Sequence, residues 1–132
     1  STHNALAQLL SRSGLAASNI DHINAGAGGT VAGDSAEARG IHSILADVPV
    51  VAYKGALGDS NSASGLIEWI SSMEGMIAGT IASTHNHHQT APDCPIQVLA
   101  EPKPREQDAF VKLSHTPDGH CVGVLFAAEE SA

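Results

Sequence analysis

Stretches with apolar residues at helical spacing alternate along this chain with short runs of β-branched residues. Ala5, Leu6, Leu9 and Leu10 share one face of a helix over residues 1–14. Asn4 or Thr2 can cap its start, and Gly14 stands at the position after its end that favours glycine. Ile20 to Ala25 reads as a short strand. A glycine-rich turn, GAGG, follows it, and Asp34 opens a second helix, DSAEARGIHSILA. Glu37 comes three residues later, the spacing of a capping box with Asp in the Ser/Thr place. VPVVAYK predicts a buried strand, Val48 to Tyr53, and GALGDSN a turn. Ser62 to Gly79 predicts a third helix, with Leu66, Ile67, Ile70, Met73 and Ile77 on its apolar face. Residues 80–107 carry Pro92, Pro95, Pro102 and Pro104 and predict a long irregular stretch. AFVKLSH, the turn TPDG and HCVGVLFAA predict an antiparallel hairpin. Cys121 to Phe126 is apolar on both faces and reads as a central strand.

The order of these elements predicts an α/β fold: a mostly parallel sheet with helices on its faces and a C-terminal antiparallel hairpin, in one domain over residues 1–132. One Trp, one Tyr and two Phe leave the core to Ala, Val, Ile, Leu and close-packed glycine. That is the habit of buried parallel strands. The formal charge is −8, and the six Lys and Arg are scattered. Nucleic acid and anionic membranes are therefore excluded as expected partners. The longest apolar run is broken by Glu68 and Glu74, so no membrane span is expected. Cys94 and Cys121 have no CxxC spacing, which predicts free thiols in a reducing cytoplasm. The chain starts at Ser1, not Met, directly on a helical pattern, as a fragment, a processed product or an excised piece would.

A glycine-rich turn between a strand and a helix can cradle phosphate or hold a catalytic residue. GAGG lacks both the P-loop lysine and a full GxGxxG, which disfavours phosphate. The eight histidines include His85, His87 and His88 in THNHHQ, followed by Asp93. Neutral imidazoles ligate transition metals, so these three are candidate ligands, with polar loop residues as the plainer expectation. No cofactor is expected.

With the order in hand, the motifs resemble the C-terminal half of the β-ketoacyl-acyl-carrier-protein synthases, condensing enzymes of the thiolase-like fold. IDHINAGAGGTVAGDSAEARGI is similar to the segment in which NAHGTSTP leads to an Asp and, three residues on, a Glu. VVAYKGALGDSNSASGLIEWI is similar to SSTKSMTGHLLGAAG and the helix after it. IASTHN takes the place of PPTIN, and LSHTPDGHCVGVLF that of the NSFGFGGTN loop and last strand. The resemblance covers nearly the whole chain and implies a thiolase-like half domain.

The resemblance also implies a chemistry of decarboxylative condensation. A cysteine in the other half of the fold holds the acyl chain, and two histidines stabilise the developing oxyanion and enolate. Here the two histidine positions are Gly26 and Asp59. A glycine offers no side-chain donor, and a carboxylate repels an enolate. Lys54, Asp34 and Glu37 match the family's bracing residues, with Lys54 expected to pair with Glu37 or Asp34. The gating loop corresponds to Ser114, His115, Asp118 and Gly119, with His115 in the place of a gating Phe and Pro117 and Asp118 stiffening it. The expectation is a ketosynthase-like half of fatty-acid or polyketide synthesis that is inactive alone, a pseudoenzyme serving as a structural or partner-binding unit. Its implied partners are a second copy or a ketosynthase N-terminal half, and acyl carrier protein. One alternative is half of an active 3-oxoacyl-acyl-carrier-protein synthase, an acyltransferase. Another is a histidine-rich metal- or ligand-binding module on the same fold. Without a strand before Ser1, the sheet is expected to have an unpaired edge.

Overall fold

The structure, a computed structural model, describes residues 1–128; residues 129–132, the tail of the predicted domain, lie outside the described residues. Helix α1 spans Thr2–Ser13. Ser1, not Asn4 or Thr2, caps it, its hydroxyl accepting from Asn4 N at 3.3 Å. Thr2 is the first helical residue and is buried. Gly14 closes the helix in the left-handed conformation, φ 71°, as its position predicted. Strand β1 is His22–Asn24, α2 is Val31–Leu45 and β2 is Pro49–Val51. The segment expected as a turn begins with a single helical turn, α3, Lys54–Leu57. Helix α4 runs Ser64–Ala78 behind a 3-10 turn, Asn61–Ala63, and ends at Gly79, φ 74°.

The stretch expected to be irregular contains three short strands: β3, Thr80–Ile81; β4, Gln97–Val98; and β5, Lys103–Pro104. Two residues each give no readable alternation, which is why the pattern missed them. The hairpin is β6, Ala109–His115, and β7, Cys121–Ala127. The main sheet has the order β4-β2-β1-β6-β7, and β3 and β5 form a separate antiparallel pair. β1 pairs in parallel with β2 and β6, β2 with β4, and β6 antiparallel with β7. The first strand is thus central, and the sheet's edges are β4 and β7. The expectation that Cys121 to Phe126 is central is overturned: β7 is an edge strand, with Val122 and Val124 exposed.

Helices α1 and α2 cover one face of the sheet and α4 the other. A Cβ on Gly40 would lie 2.5 Å from Thr2 Cβ, so only glycine lets α2 approach α1 this closely. The two faces differ in chemistry because side chains alternate along β1 and β6. Ile23, Ala25, Ala109, Val111 and Leu113 join Leu6, Ile41 and Leu45 in an aliphatic core under α1 and α2. His22, Asn24, Phe110 and Lys112 take the other parity and meet α4. There Phe110, Phe126 and Trp69 cluster, with Trp69 edge-on to Phe126 at 5.3 Å and Phe110 at 5.5 Å from Phe126. The few aromatic residues are therefore gathered beneath one helix.

Helix α4 buries the polar residues Ser64, Glu68 and Ser72, spaced by four. Of its predicted packing face, Leu66 (62%), Ile67 (41%), Ile70 (39%) and Ile77 (78%) are exposed, and Met73 is half-buried. The helix is turned the opposite way from the amphipathic reading, because buried partners from β1 and β6 satisfy its polar stripe.

Candidate functional site

The turn after β1 lies at the carboxyl end of the parallel strands, the end where open α/β sheets place their ligands. Two carboxylates of α2 hold the backbone of this turn. Glu37, two turns into α2, accepts from Gly26 N (2.7 Å) and Ala27 N (2.8 Å). Asp34 accepts from Gly29 N at 3.1 Å. The expected Asp34–Glu37 capping box is absent. Thr30 caps α2 instead, its hydroxyl accepting from Gly33 N at 3.1 Å, and the two carboxylates reach back into the turn. Ala27 adopts φ +43°, a left-handed conformation unusual outside glycine, and these bonds hold it there.

Carbonyls of the turn are held by ammonium groups. Lys54 Nζ donates to Gly26 O at 2.7 Å and Lys112 Nζ to Ala25 O at 3.0 Å. Both lysines share one carboxylate, Glu68, at 3.0 Å and 2.7 Å. Lys54 is partly buried, as expected, but its counter-charge is Glu68 on α4 and not Glu37 or Asp34. Lys112 and Glu68 are almost fully buried, and desolvation pushes the Lys112 ammonium below its usual range against the opposing pull of Glu68. In the sequence Glu68 stands out only as a break in an apolar run. Lys112 sits in an apolar strand pattern, and its even parity with Phe110 was the available signal.

The second turn is next to the first, as Lys54 bonding Gly26 requires. Asp59 lies on its exposed side and accepts from Ser64 Oγ at 2.8 Å, while Ser64 Oγ also accepts from Ser60 N at 2.7 Å. The gating-loop candidates divide. His115 closes over the first turn, with Nδ1 3.3 Å from Glu37 Oε2 and Nε2 2.9 Å from Thr2 Oγ1. Ser114 packs on α4, where a Cβ on Gly65 would come within 2.8 Å of its hydroxyl. Asp118 and Gly119 lie out in the hairpin turn. Asp118 accepts from the Thr116 hydroxyl and faces His120 Nδ1 at 3.1 Å, and Gly119 N donates to Thr116 O at 3.0 Å.

Beneath the site His22 is stacked on Phe110 at 4.8 Å. Its Nδ1–H donates to Gln107 Oε1 (2.6 Å), so Nε2 accepts from the Ser72 hydroxyl (2.8 Å), whose oxygen accepts from Asn24 Nδ2 (2.8 Å). Burial depresses the His22 pKa to about 4. The imidazole is a neutral core bridge.

His85, His87 and His88 do not converge. His87 pairs with the hydroxyl of Thr90 at 3.0 Å, and among the described residues no group of three or more His, Cys, Asp or Glu side chains could hold a metal ion. Both cysteines are free thiols pushed up by burial, Cys94 further by Asp93 and Asp34. No helix among the described residues is long and apolar enough to cross a membrane.

A parallel sheet entered through a braced glycine turn, flanked by helices and closed by an antiparallel hairpin, defines a thiolase-like α/β half. The chain belongs to the family described as the β-ketoacyl synthase C-terminal domain, which matches residues 1–88. It is similar to 3-oxoacyl-[acyl-carrier-protein] synthase 2 of Mycobacterium leprae, 37% identical over 125 residues, covering 92% of this chain and 30% of that protein. The chain thus spans less than a third of that relative's length. Among solved structures it resembles the ishigamide ketosynthase/chain length factor, with TM-score 0.85 and 27% identity over 92% of this chain and 31% of that one. It also shares the fold of a type II polyketide ketosynthase solved in complex with its acyl-carrier protein, with TM-score 0.87 and 21% identity over 98% of this chain and 33% of that one.

Proposed function

We propose that the chain is a ketosynthase-like C-terminal half working in fatty-acid or polyketide synthesis, inactive by itself in condensation. It serves as a structural or partner-binding unit. The observation that carries this reading is the content of the first turn. In the family a histidine belongs at position 26; here Gly26 has no side chain, and its backbone is tied on both sides by Glu37 and Lys54. At the other family position Asp59 presents a carboxylate, the wrong charge for an enolate. The retained braces, Lys54, Asp34 and Glu37, fit a scaffold kept for folding. The partner on this reading is a second copy or a ketosynthase N-terminal half, with acyl carrier protein as a further one.

A second reading, half of an active synthase, is favoured by the chain's 30% coverage of its M. leprae relative. One experiment separates the two. The chain is incubated with an activated acyl donor and with malonyl-carrier, with and without a ketosynthase N-terminal half. Acylation is read by mass spectrometry and decarboxylation by carbon dioxide release. Neither activity is expected from the chain alone: Gly26 and Asp59 stand in place of the two histidines, and neither Cys94 nor Cys121 opens a helix that would activate its thiol. Stoichiometric acylation of either cysteine overturns the proposal, and condensation that depends on the added half establishes the second reading.

A further inference from the structure

An imidazole stands where a side chain at position 26 would go. A Cβ on Gly26 would lie 2.7 Å from His115 Nδ1, 3.4 Å from its Cε1 and 3.1 Å from Glu37 Oε2. The first distance is too short for any real Cβ, so the ring would have to move. Two contacts oppose that movement. Nδ1 lies 3.3 Å from Glu37 Oε2, and Nε2 shares a hydrogen bond with the Thr2 hydroxyl at 2.9 Å. Glu37 is itself fixed by two N–H groups of the turn, and Thr2 is wedged into the α1–α2 crossing against Gly40. His115 shares the strand parity of Val111 and Leu113, which directs it to the α1 and α2 side. The ring, its side chain 30% exposed, thus touches α1 through one nitrogen and α2 through the other.

We infer that His115 is a plug. It fills the space beside Gly26 and ties the turn to α1 and α2. The glycine at 26 and the histidine at 115 are coupled: a side chain at position 26 fits only when the His115 ring leaves the space beside it. This stands on contacts within the chain and does not rest on the inactivity proposed above, so the acylation assay and the following tests fail separately.

In the full chain, urea unfolding is measured for Gly26→Ala, His115→Ala and the double variant. Gly26→Ala is expected to raise the unfolding constant about tenfold or more with His115 present and about threefold or less without it. If the double variant shows the product of the two single effects, the coupling does not exist and the plug is overturned. Should Gly26→Ala not fold, a second measurement decides alone. In His115→Gly, free imidazole should refill the vacated site and raise the melting temperature by a few degrees. His120→Gly at the exposed hairpin turn should not respond. Equal responses from the two variants overturn the inference.

Discussion

Glu68 is the carboxylate on which the two lysines of the site converge. It is 1% exposed and answers two ammonium groups. Removing its charge would strand both lysines beside the Gly26 turn with only the backbone carbonyls as partners. Glu68→Gln is therefore expected to cost about 3–5 kcal/mol, the range for breaking a buried pair. Lys112→Met should cost less, because Lys54 still answers Glu68. Lys54→Met should cost least, since Lys54 is the more exposed of the two. Urea unfolding of the three variants checks the order, and an unaltered midpoint for Glu68→Gln would contradict the triad. His22 adds a pH dependence with a definite sign. Its folded pKa of about 4 lies below the ordinary 6.5, so between those values the unfolded chain binds the extra proton. The full contribution is present above pH 6.5, is lost as the pH falls toward 4, and changes no further below that. The loss is about 3 kcal/mol. Unfolding midpoints measured from pH 7 to pH 4 should fall in the wild type with a component that His22→Gln removes.

The helices and the hairpin were legible because each carries a long local signal. Gly14 and Gly79 marked two helix ends, and TPDG marked the hairpin. What could not be read locally was the direction in which an element faces. Helix α4 has an unambiguous apolar stripe, yet it buries the opposite one, because Asn24, His22 and Lys112 lie on distant strands and reach it only after the sheet assembles. Asn24 Nδ2 donates to Glu68 O at 2.7 Å, a contact that no spacing within α4 announces. The same limit applies to α2. Asp34 and Glu37 have capping-box spacing, but the cap is Thr30 four residues earlier, and the acids brace the turn before it. The motif resemblance named Asp34, Glu37 and Lys54, and the structure places all three against the turn. The resemblance paired Lys54 with the wrong carboxylate, because a family motif fixes positions along the chain and leaves the three-dimensional pairing open. His115 was visible as a departure in the gating loop. Its seat over Gly26 depends on β6 lying next to β1, which the sequence order does not reveal.

At the scale of the molecule, the α4 side of the sheet is unfinished. Leu66, Ile67, Ile70 and Ile77 point away from the sheet, and Val122 (60% exposed) and Val124 on the edge strand share the side on which Phe126 meets Trp69. Soluble proteins rarely leave a helix face and a neighbouring strand edge both apolar and bare. In the proposed reading this surface takes the counterpart helix of another half. A second copy of the chain can supply it, because a pseudo-two-fold contact between halves converts directly into a true two-fold contact between identical ones. The expected outcome at micromolar concentration is a dimer by light scattering. Ile70→Asp places a carboxylate at the middle of the buried face and should yield monomer, with the far-ultraviolet circular dichroism of the wild type. Ile70 makes no part of the polar stripe that holds α4 to the sheet, so the fold itself should tolerate the change. If the chain is monomeric alone but shifts to a one-to-one complex when a ketosynthase N-terminal half is added, the occupant is that half. A wild-type monomer that takes no partner, with Ile70→Asp indistinguishable from it, would show that the exposed face does not serve assembly.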